Sequence, residues 1–329
     1  MSEAAHLCLR AQQATGTRRW LHIASAALNW LAQRVVLFRY GDWVFVTFGL
    51  FAGLGALVSL TAMGALLIGQ GVGGKFFLTL AVAGSATVVV GSWLAGQLLD
   101  YRLLLEHPWR ALRRPVFVSW GGIIALPLVL AIMAALADVS LLVLLDAAAR
   151  TTPLGHALGR LGCLTYGCCF GRPTDAALAI TYRNPLAKAV RVAGLHNVPL
   201  HPAPFYEVVL QIGLALVVNL AAVLGAPLGL PTALAFVLYG MGRFAVEFTR
   251  DNSGRMIVAP LAVNHLVALS FVIGGALAIP ALLLGWQVPP AISWSAALAG
   301  VPELAPAITP GVVLIFFGFS LHRGRIGEW

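Results

Sequence analysis

The sequence predicts an all-α, polytopic integral membrane protein of about seven transmembrane helices, with an eighth candidate. Three observations predict it. Of the 329 residues, 60% are hydrophobic and only 10% are charged, against about 25% charged in soluble domains. The mean hydropathy is +0.89. Apolar runs of roughly the 20 residues needed to cross a bilayer recur along the chain. So little charge could not cover the water-facing surface of a soluble protein this size.

Taken in order, residues 1–39 form a basic N-terminal segment. Its start, "MSEAAHLCLRAQQATGTRRW", has no apolar stretch before a small-residue cleavage site, so it does not read as a secretory signal. Residues 16–39 read as an interfacial helix, with Trp20, Leu21, Leu28, Trp30, Leu31, Val35 and Phe38 set against Arg18, Arg19, Arg34 and Arg39. Membrane spans are expected at residues 43–69, 76–99, 116–137, 139–158, 205–225, 231–249 and 261–285. Together they give a membrane domain over residues 40–285. Residues 286–329 form a C-terminal extension whose candidate span, 306–321, is short and weakened by proline and glycine. Two stretches are not span-like. Residues 100–115, "DYRLLLEHPWRALRRP", are amphipathic and basic, an arm lying on the membrane surface. Residues 163–204 make a small polar head between spans four and five.

The formal charge of +9 sits in short loops between apolar runs. Anionic lipid headgroups are therefore the expected partner, and no motif points to nucleic acid. With eight spans, nearly all the arginines fall on the N-terminal side and Lys75 alone on the other. The positive-inside rule would make the arginine-rich side cytoplasmic.

Charged residues within spans cost about 2.5–3.5 kcal/mol each on insertion scales and mark function by default. In "YGMGRFAVEFTRD", Arg243, Glu247 and Arg250 share one helical face with Tyr239. This is either an ion-paired helix interface or a polar wall around an anion, since a planar guanidinium suits phosphate. In "GRLGCLTYGCCFGR", residues 159–172, the glycines read as a broken helix end bordering a pocket, with Arg160 pointing in. Small-residue helix packing is the alternative for the glycines, though not for Arg160. In "LHPAPFYEVV", two prolines open a helix. Glu207 is read there as a cap or as a site residue, and His201 as a base or an interfacial hydrogen-bonder. Of the four cysteines, Cys163, Cys168 and Cys169 cluster. Packing, a disulfide, a metal site and a thiolate beside Arg160 are all open, with packing first.

Together these motifs resemble the bacterial prolipoprotein diacylglyceryl transferase family from about Arg39 to residue 280. "RYG" at 39–41, "WGG" at 120–122, "GRLG…G…GR" at 159–172, "HPAPFYE" at 201–207 and "YGMGRFAVEFTR" at 239–250 occur in the family's order. The resemblance implies transfer of a diacylglyceryl group from phosphatidylglycerol to the lipobox cysteine of a lipoprotein precursor, in the bacterial inner membrane. It makes Arg160 and Arg243 the phosphate pair, with His201, Glu247 and Cys168 as further catalytic candidates. Tyr40, Gly171, Tyr239, Glu207 and Arg250 line the lipid site. It implies no cofactor and no metal, and places the arginine-rich side outside the cytoplasm. The sequence departs from the family pattern at Trp120, where the family has histidine, and at Cys163, Tyr166 and Cys168, where it has asparagine, asparagine and glutamate. His156, His201 or Glu207 then stand as substitutes for the missing base. A paralogue with another acceptor, a silent lipid binder and a transporter are the competing readings.

Overall fold

The computed structural model describes residues 16–112, 118–250, 256–258, 261–323 and 326. In chain order the helices are α1 (Gly16–Ala32), α2 (Thr47–Gly69), α3 (Gly74–Leu99), α4 (Tyr101–Glu106), α5 (Pro108–Leu112), α6 (Ser119–Ala137), α7 (Leu141–Tyr166), α8 (Lys188–Arg191), α9 (Ala203–Val223), α10 (Leu230–Glu247), α11 (Val263–Leu284) and α12 (Trp294–Ser320). Five of them, α2, α3, α6, α9 and α11, are long and apolar enough to cross a membrane. Helix α12 makes a sixth if its two arms, bent by 55° at residues 306–308, count as one span. The bend falls at Pro306, which lacks an N–H and crowds the preceding turn. Helices α7 and α10 are 26 and 18 residues long. Between them they carry Asp146, Arg150, Arg160, Arg243 and Glu247.

Helix α2 packs along both α7 and α12, α9 along α7, α3 along α6, and α10 along α11. The α2–α7 approach depends on Gly55 and Gly155: a Cβ on Gly155 would sit 2.6 Å from the Gly55 carbonyl oxygen. The structure narrows the helix end expected within residues 159–172 to Gly167. Helix α7 runs unbroken through Gly155, Gly159 and Gly162, past the expected end at residue 158. It stops at Gly167, in the left-handed conformation at φ +72°, whose N–H returns to the Cys163 carbonyl. Glycine at Gly155 serves tight helix packing instead.

The interfacial helix is shorter than expected. It ends at Ala32, and Val36–Tyr40 forms strand β1, antiparallel to β2 (Trp43–Val46). Val35, Val36, Phe38 and Tyr40 are β-branched or aromatic, and the Gly41–Asp42 turn closes the hairpin. The same hairpin moves the start of the first span from residue 43 to Thr47. A third strand, Leu321–Arg323, pairs with β2, so the entry of α2 is stitched to the exit of α12. The Ser320 hydroxyl donates to the Val46 carbonyl across this seam at 2.8 Å.

The polar head occupies residues 167–202, and α1 clamps it. Leu28, Ala32 and Val35 share a core with Tyr166, Ile180, Tyr182 and Leu200. The Asn29 and Gln33 side chains bond the backbone of Ala179, Thr181, Arg183 and Asn184. The expected arm appears as α4 and α5, with Leu105 and Trp109 exposed; residues 113–117 lie outside the described residues.

Candidate active site

Helix α7 delivers Arg160 to the interior, where it is buried against a fully buried Glu207 from the second turn of α9. Arg160 Nε lies 2.8 Å from Glu207 Oε2 and also donates to His156 Nε2 at 3.1 Å. Its Nη2 donates to the Ser119 hydroxyl at the start of α6 at 3.4 Å. Helix α10 adds Arg243, whose Nη1 reaches Glu207 Oε1 at 3.3 Å and whose Nη2 lies 2.6 Å from Glu247 Oε2. Arg250, just past α10, also reaches Glu207 Oε1 at 3.3 Å. Asn264 at the start of α11 donates to Glu247 Oε1 at 2.6 Å. Five helices and the α10 exit thus converge on one buried cluster of three guanidiniums and two carboxylates. Glu207 is its hub and not a helix cap, which resolves the alternatives left by the sequence.

Two carboxylates leave one guanidinium charge uncompensated. Each guanidinium also offers five N–H donors, more in total than two carboxylates can accept. Such a centre has the charge and the donors to accept an anion with several oxygens. His156 sits between two donors: its Nε2 accepts from Arg160, and its Nδ1 lies 2.9 Å from the Gln211 amide nitrogen, so the ring bridges α7 and α9.

An apolar cavity of about 120 Å³ adjoins this centre, between α6, α7, α9 and α10. Ile123, Leu126, Leu130, Leu145 and Phe236 line its walls, while His156, Gln211 and Tyr239 supply its polar side. Tyr239 is buried, with its ring centroid 6.2 Å from His156. The arrangement sets an apolar slot beside a cationic centre.

The remaining sequence candidates divide. Gly171 is buried at a crossing of chains, and a Cβ there would meet the His201 and Thr249 carbonyl oxygens at 2.6 and 2.7 Å. Its N–H donates to His201, and Arg172 N–H donates to Thr249, so the head is tied to both α9 and α10. His201 is half-buried, with Nδ1 3.2 Å from the Tyr206 hydroxyl. Burial, then the charge of Arg172, hold its pKa below the usual histidine value. Tyr40 stands apart, 77% exposed beside the hairpin turn. Cys168 joins Cys163 and Cys169 in a half-buried thiol group whose Sγ atoms all lie within 4.8 Å of one another. These three are the residues able to hold a metal ion among the described residues.

Residues 35–280 match the family described as prolipoprotein diacylglyceryl transferase. The chain belongs to the prolipoprotein diacylglyceryl transferase family. Among its relatives, a Geobacter sulfurreducens protein named phosphatidylglycerol–prolipoprotein diacylglyceryl transferase is 31% identical over 268 residues, 76% of this chain and 92% of the relative. A Clostridium tetani protein of the same name is 25% identical over 243 residues, 70% and 94% of the two chains. A Clostridium perfringens protein named as transferase 2 is 28% identical over 195 residues, 57% and 73% of the two chains.

Sequence reasoning missed Ser119, Gln211 and Asn264. Gln211 was findable, because it lies one turn beyond Glu207 on the same face of α9. Ser119 and Asn264 carry no local signal; only the folded bundle brings them in. Trp120, where the family has histidine, packs beside the hydrophobic cluster that contains Tyr239. Its indole N–H is buried without a hydrogen-bond partner among the described residues.

Proposed function

We propose that this protein transfers the diacylglyceryl group of phosphatidylglycerol to the lipobox cysteine of lipoprotein precursors, in the bacterial inner membrane. The single observation that carries the reading is the buried Arg160–Glu207–Arg243–Glu247–Arg250 cluster beside an apolar slot. Family membership supplies the reaction that such a centre would serve. The acceptor sulfur attacks the glyceryl carbon, a C–S bond forms, and the C–O bond to phosphate breaks with its electron pair leaving on glycerol phosphate. Arg160 and Arg243 hold the phosphate oxygens as that charge develops, the kind of preorganised stabilisation worth most in a dry site. Glu207 and Glu247 fix the guanidinium planes. His156, Gln211 and Tyr239 face the glyceryl region, and the slot takes acyl chain. Tyr40, beside the hairpin turn, is assigned to the headgroup level at the membrane surface.

Eight spans fit this function best. The sheet that joins the entry of α2 to the exit of α12 needs an even number of crossings between them. The apolar helices, with α7 and α10 added, supply eight. The transferase unit is then residues 40–285, buttressed by α1 and by α12. The arginine-rich face is turned out of the cytoplasm, where lipoprotein precursors present their lipobox.

The test is transfer itself. Purified protein in phosphatidylglycerol liposomes, given a lipobox peptide, should yield a diacylglyceryl thioether by mass spectrometry, and Arg160→Ala should cut its yield about 10²–10³-fold. Lipid binding without thioether would sink the reading in favour of another acceptor or a silent lipid binder.

A further inference from the structure

Three thiols meet at one point where α7 ends. Helix α7 ends with Cys163 in its last turn. Gly167 reverses the chain, and the N–H groups of Gly167 and Cys168 both return to the Cys163 carbonyl. That reversal brings Cys168 and Cys169 back over Cys163. Cys169 adopts φ +57°, a left-handed conformation that L side chains rarely hold unless their surroundings enforce it. All three are free thiols, and each lies in side-chain contact with the other two. Their Sγ atoms lie within 4.8 Å of one another. Zinc with bonds of about 2.3 Å holds tetrahedral sulfur ligands on the order of 3.8 Å apart, so closing on an ion needs only a small contraction.

The charges agree. Cys163 and Cys169 lie within electrostatic reach of Arg160, and Cys169 within that of Arg250. The arginine cluster carries one uncompensated positive charge. Three thiolates on a divalent ion carry one negative charge, so the two groups neutralise each other. Three protein ligands also leave one position of a tetrahedral ion unfilled, the arrangement of catalytic as opposed to structural zinc.

We infer that Cys163, Cys168 and Cys169 form a three-thiolate zinc site whose open fourth position receives the acceptor sulfur. The role of the open position rests on the transfer reading above; the metal site itself does not. Binding of the three cysteines releases their protons to solvent, as zinc binding to thiols does. The acceptor thiol likewise loses its proton to solvent when its sulfur takes the fourth position, since a coordinated thiol is deprotonated outright. The sulfur lone pair then forms the C–S bond, and the C–O electron pair leaves with the phosphate against Arg160 and Arg243. The product thioether carries no charge and is a poor ligand, so it departs. This removes the need for a protein base at position 120, where the chain has Trp120.

The test uses the full chain purified in detergent without chelator. Elemental analysis should find about one zinc per chain, retained through dialysis, kept in Cys8→Ser and lost in both Cys168→Ser and Cys169→Ser. Size-exclusion profiles of the two variants check that they remain folded. Cobalt(II) substitution should give thiolate-to-metal charge-transfer absorption that changes when a lipobox peptide is added, and not when its cysteine is replaced by serine. Three titratable thiols with no metal uptake from supplied zinc, or a Cys163–Cys168 disulfide in the isolated protein, would overturn the site. Cobalt bands indifferent to the peptide would overturn the open position. A full metal response with no thioether would leave the site standing and remove the transfer reading.

Discussion

Asp146 and Arg160 both sit buried on α7, on the order of 20 Å apart along its axis. Asp146 has its oxygens taken up by one helix end: Oδ2 accepts from Gly229 N–H at 2.7 Å, and Oδ1 accepts from the Thr232 N–H and hydroxyl at the start of α10. A carboxylate at a helix N-terminus meets donors that nothing else in the helix can use. Its neighbour Arg150 donates from Nε to Asn219 Oδ1, and the Asn219 amide donates back to the Arg150 backbone carbonyl. Arg160 belongs instead to a group with more donors than acceptors and a net positive charge. The difference teaches how to tell a structural buried charge from a functional one: the first is closed, and the second is left open to one more partner.

The sharpest way to break that contrast is to remove the hub. Glu207→Ala leaves Arg160, Arg243 and Arg250 facing one another with only Glu247 between them. Breaking a buried ion pair by deleting one partner costs about 3–5 kcal/mol. Thermal unfolding in detergent should show that loss, with transfer abolished as well. A stable Glu207→Ala protein would mean that the guanidiniums are wet, and that the centre is a surface cleft. Arg160→Ala should do the opposite. It removes one cation from a group that has one to spare, so the fold should survive while transfer falls about 10²–10³-fold, the usual effect of deleting one donor to a developing anion. Loss of folding with Arg160→Ala would place it with Asp146 as a structural charge.

That distinction was only half legible in the sequence. Arg243 and Glu247 are one helical turn apart, and their pairing follows from spacing alone. Glu207 is 36 residues from Arg243, so its role as hub needed the bundle. Hydropathy found α2, α3, α6, α9 and α11 because each holds a long, mostly apolar run. It misplaced the hairpin because Trp43–Val46 is as apolar as the helix that follows. The sequence also spread the end of α7 over residues 159–172, since glycines that let two helices touch look in sequence like glycines that break one. Gly155 is the former and Gly167 the latter. Only the partner, Gly55, distinguishes them.

Intermediate effects test how the head holds the site. Gly171→Ala must push a methyl into the His201 and Thr249 carbonyls. Overpacking of this kind costs about 1–3 kcal/mol. Protease cleavage within residues 172–200 should accelerate while the apolar helices stay intact; unchanged cleavage would mean that the head is not anchored there. Asp146→Asn keeps one acceptor oxygen for α10 and loses the other. A stability loss of about 1–2 kcal/mol is expected, in line with helix capping, together with an unchanged rate of transfer. A rate deficit there would show that the two ends of α7 are coupled, and the contrast between them would fail.

The smallest effect is expected at His201. Burial and Arg172 lower its folded pKa beneath the ordinary value near 6.5, so the folded protein favours its neutral form. The stability this lends is complete above the unfolded value and fades as the pH falls from there through the folded value. His201→Asn should flatten the stability curve on the acid side of 6.5. Its effect on transfer separates the two roles left open by the sequence. A placed base contributes about 10²-fold or more, whereas His201 is bonded to Tyr206 and lies outside the arginine cluster. A loss of transfer below about tenfold would leave proton removal to the group around Arg160; a loss of 10²-fold with the acid limb of the pH–rate profile erased would return it to His201.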